Sequence, residues 1–324
     1  FDLTADGDTG IFDPCATVDG VTVATAAQCA NTGVTAAQYG TIADNPAGQF
    51  NTLQGGNEDL DPETADTFTI GFVVTQTFIE GLTFSVDYFD IEVEDYINTV
   101  PESLSLSQCL ETGDDFFCSL INRGTGGTLW ANNTGFITAT NVNTGSISTS
   151  GFDILASYLV EADAFGSFNL NYVGTILDSL EVKPLPSSTG ADIFDCAGLY
   201  GGRCQNNFGS GANPEYRHKA GVTWTNVDGG LSVTGTWRYY DEVTLDGSDG
   251  TGRNGVLKTQ NYLDLSARYN VLENTTVRAG VNNILDRDPP LSSVVGTAPG
   301  NGNTYPQVYD ALGRYFFVGA SVDF

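Results

Sequence analysis

The 324-residue chain has no run of about 18 apolar residues, so a membrane-spanning helix is excluded. Spanning strands are not excluded, because a strand shows lipid only every second residue. Cations are scarce: 12 Lys and Arg stand against 40 Asp and Glu, a formal net charge of −28. Nucleic acid is therefore not an expected partner, since its phosphates need clustered cations. Nor is a basic anchor on anionic lipid. Histidine occurs once, as His218, which leaves a base–nucleophile triad without its usual base. The glycine-rich stretch Gly124-Thr125-Gly126-Gly127 lacks a lysine, so no phosphate cradle is expected there. No leader precedes Phe1, so the expectation is a mature chain or a piece of a longer one.

What is present folds. Aromatics make up 11% of the chain, with 19 Phe and 14 Tyr, too many for an acidic disordered segment. The 39 glycines suit many turns. Six cysteines fall into three local pairs, Cys15 with Cys29, Cys109 with Cys118, and Cys196 with Cys204, each in a polar stretch. An even count in loops reads as disulfides formed in an oxidising compartment. None has the C-x-x-C spacing of a zinc site, and no metal or cofactor is expected.

The dominant pattern is period-2 alternation, the mark of strands with one apolar and one polar face. Phe68, Ile70, Phe72 and Val74 alternate with polar or small residues, as do Leu82, Phe84, Val86 and Tyr88. The pattern recurs near 152–160, 168–172, 216–224, 231–239, 263–271, 277–281 and 316–324, which gives roughly nine strands. After Tyr88 the apolar set moves to Phe89, Ile91 and Val93. A bulge, or a strand leaving the apolar layer, would explain that slip.

Connections alternate strictly between short and long. The short ones are 79–81, 161–166, 228–230 and 273–274, and the long ones 98–145, 178–213, 241–260 and 285–309. An antiparallel up-and-down transmembrane β-barrel has this asymmetry, with short periplasmic turns and long extracellular loops. Aromatics near strand ends, Phe68, Phe78, Tyr216, Trp224, Tyr239 and Tyr262, suit interfacial girdles. A soluble sandwich core also holds aromatics, but it has no reason to put every long loop at one end.

Five stretches resemble the C-terminal half of TonB-dependent receptors of the outer membrane. Asn57-Glu58-Asp59-Leu60-Asp61-Pro62-Glu63 resembles the family's NPxLxPE segment, with Glu58 in place of its Pro. Gly81 to Ile91 resembles the strand that follows, and Thr149-Ser150-Gly151-Phe152-Asp153 resembles TSGxD. Gly280 to Pro289 is similar to GVNNLFDxxPP, and Tyr309 to Gly319 to the start of the last strand. The resemblance covers about 57–324. It implies an all-β fold in which about nine C-terminal strands belong to a larger barrel, 22-stranded in such transporters, around a plug. Residues 1–63 are then an extracellular loop region, 64–324 carry the barrel strands and loops, and the N-terminal plug is not in this chain. The family's terminal aromatic, read by the barrel-assembly machinery, falls on Phe324.

The implied function is TonB-energised uptake of a scarce nutrient of siderophore, cobalamin or oligosaccharide type, and not an enzyme. The implied partners are the missing N-terminal part of the same receptor, the TonB complex through that part, outer-membrane lipid and a small nutrient ligand. A passive porin or structural barrel is the runner-up, and a soluble secreted adhesin or lectin the third reading. Arg123, Trp130, Tyr240 and Arg253 are the candidate ligand-binding residues, because aromatics and arginine anchor binding sites. Arg217, Arg238, Asp264, Arg268 and Arg278 should face the lumen in salt-bridge ladders, and His218 should face outward. Asp59 with Asp61, and Asp246 with Asp249, read as solvated acidic loops before calcium sites.

Overall fold

The structure is a computed structural model describing residues 2–5, 13–46, 49–75, 79–184, 193–204, 211–295 and 302–323. Phe78 and Phe324, assigned above to a girdle and to the terminal aromatic, lie outside the described residues. The chain divides into two compact units: Phe1–Thr64 with Glu94–Gly145, and Ala65–Val93 with Ser146–Phe324.

Nine strands make up the main sheet: β1 (Thr64–Thr75), β2 (Leu82–Glu94), β3 (Ser146–Glu161), β4 (Ser167–Lys183), β5 (Tyr216–Thr225), β6 (Leu231–Tyr240), β7 (Gln260–Leu272), β8 (Thr275–Asn282) and β9 (Tyr315–Val322). Each lies beside its sequence neighbour, and a short strand, Phe194–Asp195, adds to β4. This is an antiparallel meander, and every strand read from alternation is in it. β3 and β4 run beyond their apolar stretches because polar residues carry the ladder on, Ser146 opposite Lys183 and Ser148 opposite Glu181.

Register separates the faces. Phe168 is opposite Trp224, Trp224 opposite Val233, Val233 opposite Ala267, Ala267 opposite Ala279, and Ala279 opposite Val318. The next row, on the other face, runs Ser167, Thr225, Ser232, Arg268, Arg278 and Gly319. Directly opposed residues share a face, so one face is apolar from β3 to β9 and the other mostly polar. The apolar face is not buried by this chain: Ile70 is 62% exposed and Val318 79%. A soluble sheet would bury that face under a second layer.

The slip after Tyr88 is a change of face inside one unbroken strand. The Tyr88 ring packs 5.2 Å from Phe152, which is on the apolar face. Phe89 crosses Gly151 on the polar face, where an added Cβ would come within 2.8 Å of the Phe89 ring. Apolar residues thus move from one face to the other as β2 leaves the apolar layer. A true bulge lies elsewhere: Ser150 pairs with Ser179 and Gly151 with Leu177, which leaves Asp178 unpaired.

The other unit shows that the long 98–145 connection is itself folded. It holds α1 (Ala26–Asn31), α2 (Glu102–Thr112) and α3 (Asp115–Ser119), and the strand Phe136–Asn143 between Asn51–Gly55 and Ile97–Thr99. α1 begins at a capping box, with Gln28 N–H donating to the Thr25 hydroxyl and Thr25 N–H to the Gln28 side chain. α2 buries Leu106, Cys109 and Leu110, a helical spacing. Disulfides Cys15–Cys29 and Cys109–Cys118 tie the unit, and Cys196–Cys204 ties a connection of the sheet unit. Closing a loop of 14 residues, as Cys15–Cys29 does, stabilises by about 3 kcal/mol in the chain-entropy account.

Candidate functional site

The long connections of the sheet unit build a small core of their own at one end of the strands. Tyr200, Ala212, Val243, Leu257, Val295, Tyr305 and Tyr309 are buried together, with Tyr240 packed against them. Short ladders hold this core, Leu199–Tyr200 beside Val243–Leu245 and the latter beside Val256–Leu257. The Tyr200 hydroxyl donates to the Asn254 carbonyl. Burial pushes the Tyr305 phenol up to about 12 and raises Tyr309 further in the same direction. Both stay neutral, and the core carries no charge.

Beside Cys196–Cys204, Arg203 makes two bonds to Asp246, at 3.0 and 2.8 Å, and lies over the Phe194 ring. The Arg203 side-chain hydrogen bond holds the Asp246 carboxyl below its ordinary range. A lowered folded-state pKa stabilises above the unfolded value, near 3.9, and that contribution disappears as pH falls through the folded one. Below about pH 4 the 198–204 and 244–256 segments should therefore lose amide protection, read as exchange relative to the intrinsic rate at each pH, and D246N should show the same protection factors above and below pH 4. Arg203 is 53% exposed, so the effect should be small. Protection factors in the unsubstituted chain that do not change in acid would contradict this.

Below the loop core, the polar face carries an ion-pair network centred on Arg238. Arg238 on β6 is bidentate to Asp264 on β7 at 2.7 and 3.0 Å, and to Asp310 before β9 at 2.9 and 2.6 Å. Its guanidinium also lies over Tyr262. Asp264 further accepts the Asn283 N–H at 2.8 Å. Asn283 is fully buried at φ 54, a conformation asparagine tolerates, and its side chain bonds both the carbonyl and the N–H of Arg287. Asp286 accepts the Arg314 N–H. The Asn and Asp of the Gly280–Pro289 motif therefore build the corner where the chain leaves β8.

A cavity of about 570 Å³ opens between this face and the loop segments at 212–214 and 307–308. Val173, Thr175, Leu177, Arg217, Lys219, Arg238 and Tyr240 line its strand side. Among the described residues Arg217, Lys219, Arg268 and Arg278 have no carboxylate partner, so the expected ladders reduce to Arg238 alone. A larger trough, about 690 Å³, lies on the apolar face over Ala156, Ala220 and Gly235, where small side chains leave a dent.

Of the four proposed ligand residues, Arg123 and Trp130 belong to one unit and Tyr240 and Arg253 to the other. Arg123 is spent internally: it is 4% exposed, paired with Asp13 at 2.6 Å and bonded to Thr32 and Gly127. Trp130 donates to the Ala43 carbonyl. Arg253 is exposed on a turn of the 246–255 connection. Only Tyr240 lines the cavity. Arg217 and Lys219, on the same face, also line it, which alternation alone could not show because it gives a side chain's face and not its neighbours. His218 is on the apolar face, in a cluster of Tyr239, Tyr172, Tyr216 and Trp237 rings.

Residues 19–284 match the family model described as TonB dependent receptor-like, beta-barrel. No curated protein sequence matches the chain. Among solved structures, a double variant of the ferric enterobactin receptor PfeA of Pseudomonas aeruginosa is 15% identical, with a TM-score of 0.54. The match covers 99% of this chain and 35% of that one. Another PfeA variant, in complex with enterobactin, is 17% identical with a TM-score of 0.51, covering 85% and 33%. The FrpB iron transporter of Neisseria meningitidis, F5-1 variant, is 13% identical with a TM-score of 0.50, covering 84% and 33%. At these identities the likeness is one of fold. The chain spans about a third of the length of these receptors.

Proposed function

The chain belongs to the TonB-dependent receptor β-barrel family, and from that premise we propose that it forms part of the wall of a receptor that imports a scarce nutrient with energy delivered through TonB. The family is one of outer-membrane transporters and not of enzymes. The observation that carries the reading is the sheet itself. One face is apolar, in register and uncovered, while the other is polar and ends under a folded cap of long connections. The first face suits lipid and the second a water-filled or plugged lumen.

An open sheet cannot stand in hydrocarbon. Among the described residues β1 and β9 each have one neighbouring strand. Every unpaired N–H or C=O at such an edge costs several kcal/mol in lipid. Further strands of the same receptor complete both edges in this reading, with a plug inside them. Structural relatives crystallised with enterobactin favour an iron chelate as cargo.

Two measurements test the proposal. In intact cells, a cysteine-directed reagent that cannot cross the membrane should label D249C, in a long connection, and not D228C, in a short turn. Labelling of D228C alone would invert the topology. In iron-limited cells, deleting the receptor gene should abolish growth on one chelated iron source, and deleting TonB should reproduce the defect. Uptake that persists without TonB would identify a passive porin instead.

A further inference from the structure

Resting on the receptor reading, we infer that the trough on the apolar face is a site for one acyl chain of a membrane lipid, held in place rather than exchanged freely with the bilayer. The trough, about 690 Å³, lies along two rows of directly opposed residues. The row nearer the long connections runs Ala156, Tyr172, Ala220, Trp237 and Leu263. The next runs Tyr158, Leu170, Val222, Gly235 and Leu265. The row between them, Asn171, Gly221, Thr236 and Asp264, turns its side chains to the polar face. Strands about 4.8 Å apart and alternate residues about 7 Å apart make a trough roughly 19 Å long and 7 Å wide across β3 to β7.

The trough exists because two large rings have leaned out of it. A Cβ added to Gly174 would come within 2.5 Å of the Tyr172 hydroxyl, so the Tyr172 ring lies over Gly174, toward the long connections. The Trp237 ring is edge to face with His218 at 4.4 Å, and its Nε1 donates to Asn261. Gly174, His218, Tyr239 and Asn261 form the next row up. Tyr172 and Tyr239 stack on His218 at 5.5 and 5.1 Å. Neither His218 ring nitrogen has a hydrogen-bond partner among the described residues, so packing alone holds the ring. His218 is thus a spacer that props the rings away from Ala220.

Shape and chemistry select the occupant. The trough is continuous with the face assigned to lipid. A helix, about 10 Å across, is too wide to enter it. Its footprint, on the order of 130 Å², is far below the roughly 800 Å² per partner of a stable protein interface. A single acyl chain is narrow enough, and walls left without a neighbour forfeit their dispersion contacts. Trp237 and Tyr239, bonded to Asn261 and Asp241, mark the interfacial end, where the lipid's polar part would lie.

The test uses the full receptor in detergent, titrated with phosphatidylcholine brominated on one chain, with dibromostearic acid as the free-chain control. Trp237 lines the trough, and the emission difference between the receptor and its W237F variant isolates it. That difference should be quenched in a saturable step ending near one lipid per receptor. Ala156→Leu, on β3 and three strands from Trp237, should raise the half-saturating concentration at least tenfold, and so should Ala220→Leu, each read against its own W237F partner. Ala267→Leu, on the same face outside the trough, should leave it unchanged. Heat-modifiability on gels confirms that each variant is a folded barrel. Quenching that rises without saturation, a saturable step undiminished in folded Ala156→Leu, or a step given by dibromostearic acid and not by the phospholipid would each overturn the assignment. If Trp237 is still quenched in vesicles of brominated lipid, only the fixed site falls. If it is not, the lipid face and the receptor reading fall with it.

Discussion

Leu265→Arg should lose about 2–4 kcal/mol of barrel stability, the cost of a cation on a lipid face near the midplane. Leu265 is central in β7, opposite Gly235 and Val281, and 45% exposed on the apolar face. Ser266, the next residue, is at the same depth on the polar face, opposite Thr234 and Gly280. Ser266→Arg should therefore change stability by less than about 1 kcal/mol, the range of ordinary exposed substitutions. Urea unfolding of the receptor in vesicles reads both. In a soluble sheet that binds no lipid, an arginine at Leu265 would sit in water and the two variants would behave alike. Equal stabilities would therefore remove the lipid face from the account.

Arg238→Met should cost on the order of 3 kcal/mol, because it leaves Asp264 and Asp310 facing each other without their shared cation. Loss of one member of a buried charge network typically costs about 3–5 kcal/mol. The low end applies because each of the three side chains keeps about a fifth of its surface exposed. The loss should fall on the β6–β7 pair and the corner at Asn283, since Asp264 also accepts the Asn283 N–H. Adding Asp264→Asn and Asp310→Asn to Arg238→Met should recover most of the stability, because the stranded charges are gone. Thermal unfolding followed by gel mobility distinguishes the three proteins. An Arg238→Met receptor as stable as the original would show that the network holds nothing together.

The sheet was legible in the sequence because lipid and lumen impose a strict period of two. Phe168, Leu170 and Tyr172, or Leu263 and Leu265, need no partner to declare their face. The strict alternation of connection lengths gave the topology, and the cysteine spacing gave local disulfides. The second unit was not legible as a unit. Its helices are short, and α2 hides three buried apolar residues, Leu106, Cys109 and Leu110, in a stretch of Ser, Gln, Glu and Thr. Its sheet joins Asn51–Gly55 to Phe136–Asn143 in parallel, a long-range pairing that no local pattern announces. Arg123 illustrates why single residues mislead. An arginine in a polar loop reads as a ligand contact until Asp13, 110 residues earlier, is found beside it. Arg217 was read correctly for its face, but which side chains surround it is a property of three-dimensional neighbours that alternation does not carry.

The central claim is that the apolar face lies in lipid, and two native tryptophans report on it directly. Trp224, near the short turns, and Trp237, near the long connections, are both on that face. Trp130 is in the other unit. The receptor should be reconstituted in plain vesicles and in vesicles of brominated lipid, alongside a W224F/W237F variant. The emission difference between receptor and variant isolates the two side chains. That difference should be strongly reduced in brominated lipid. If it is the same in both vesicles, the face is not in the membrane and the account fails.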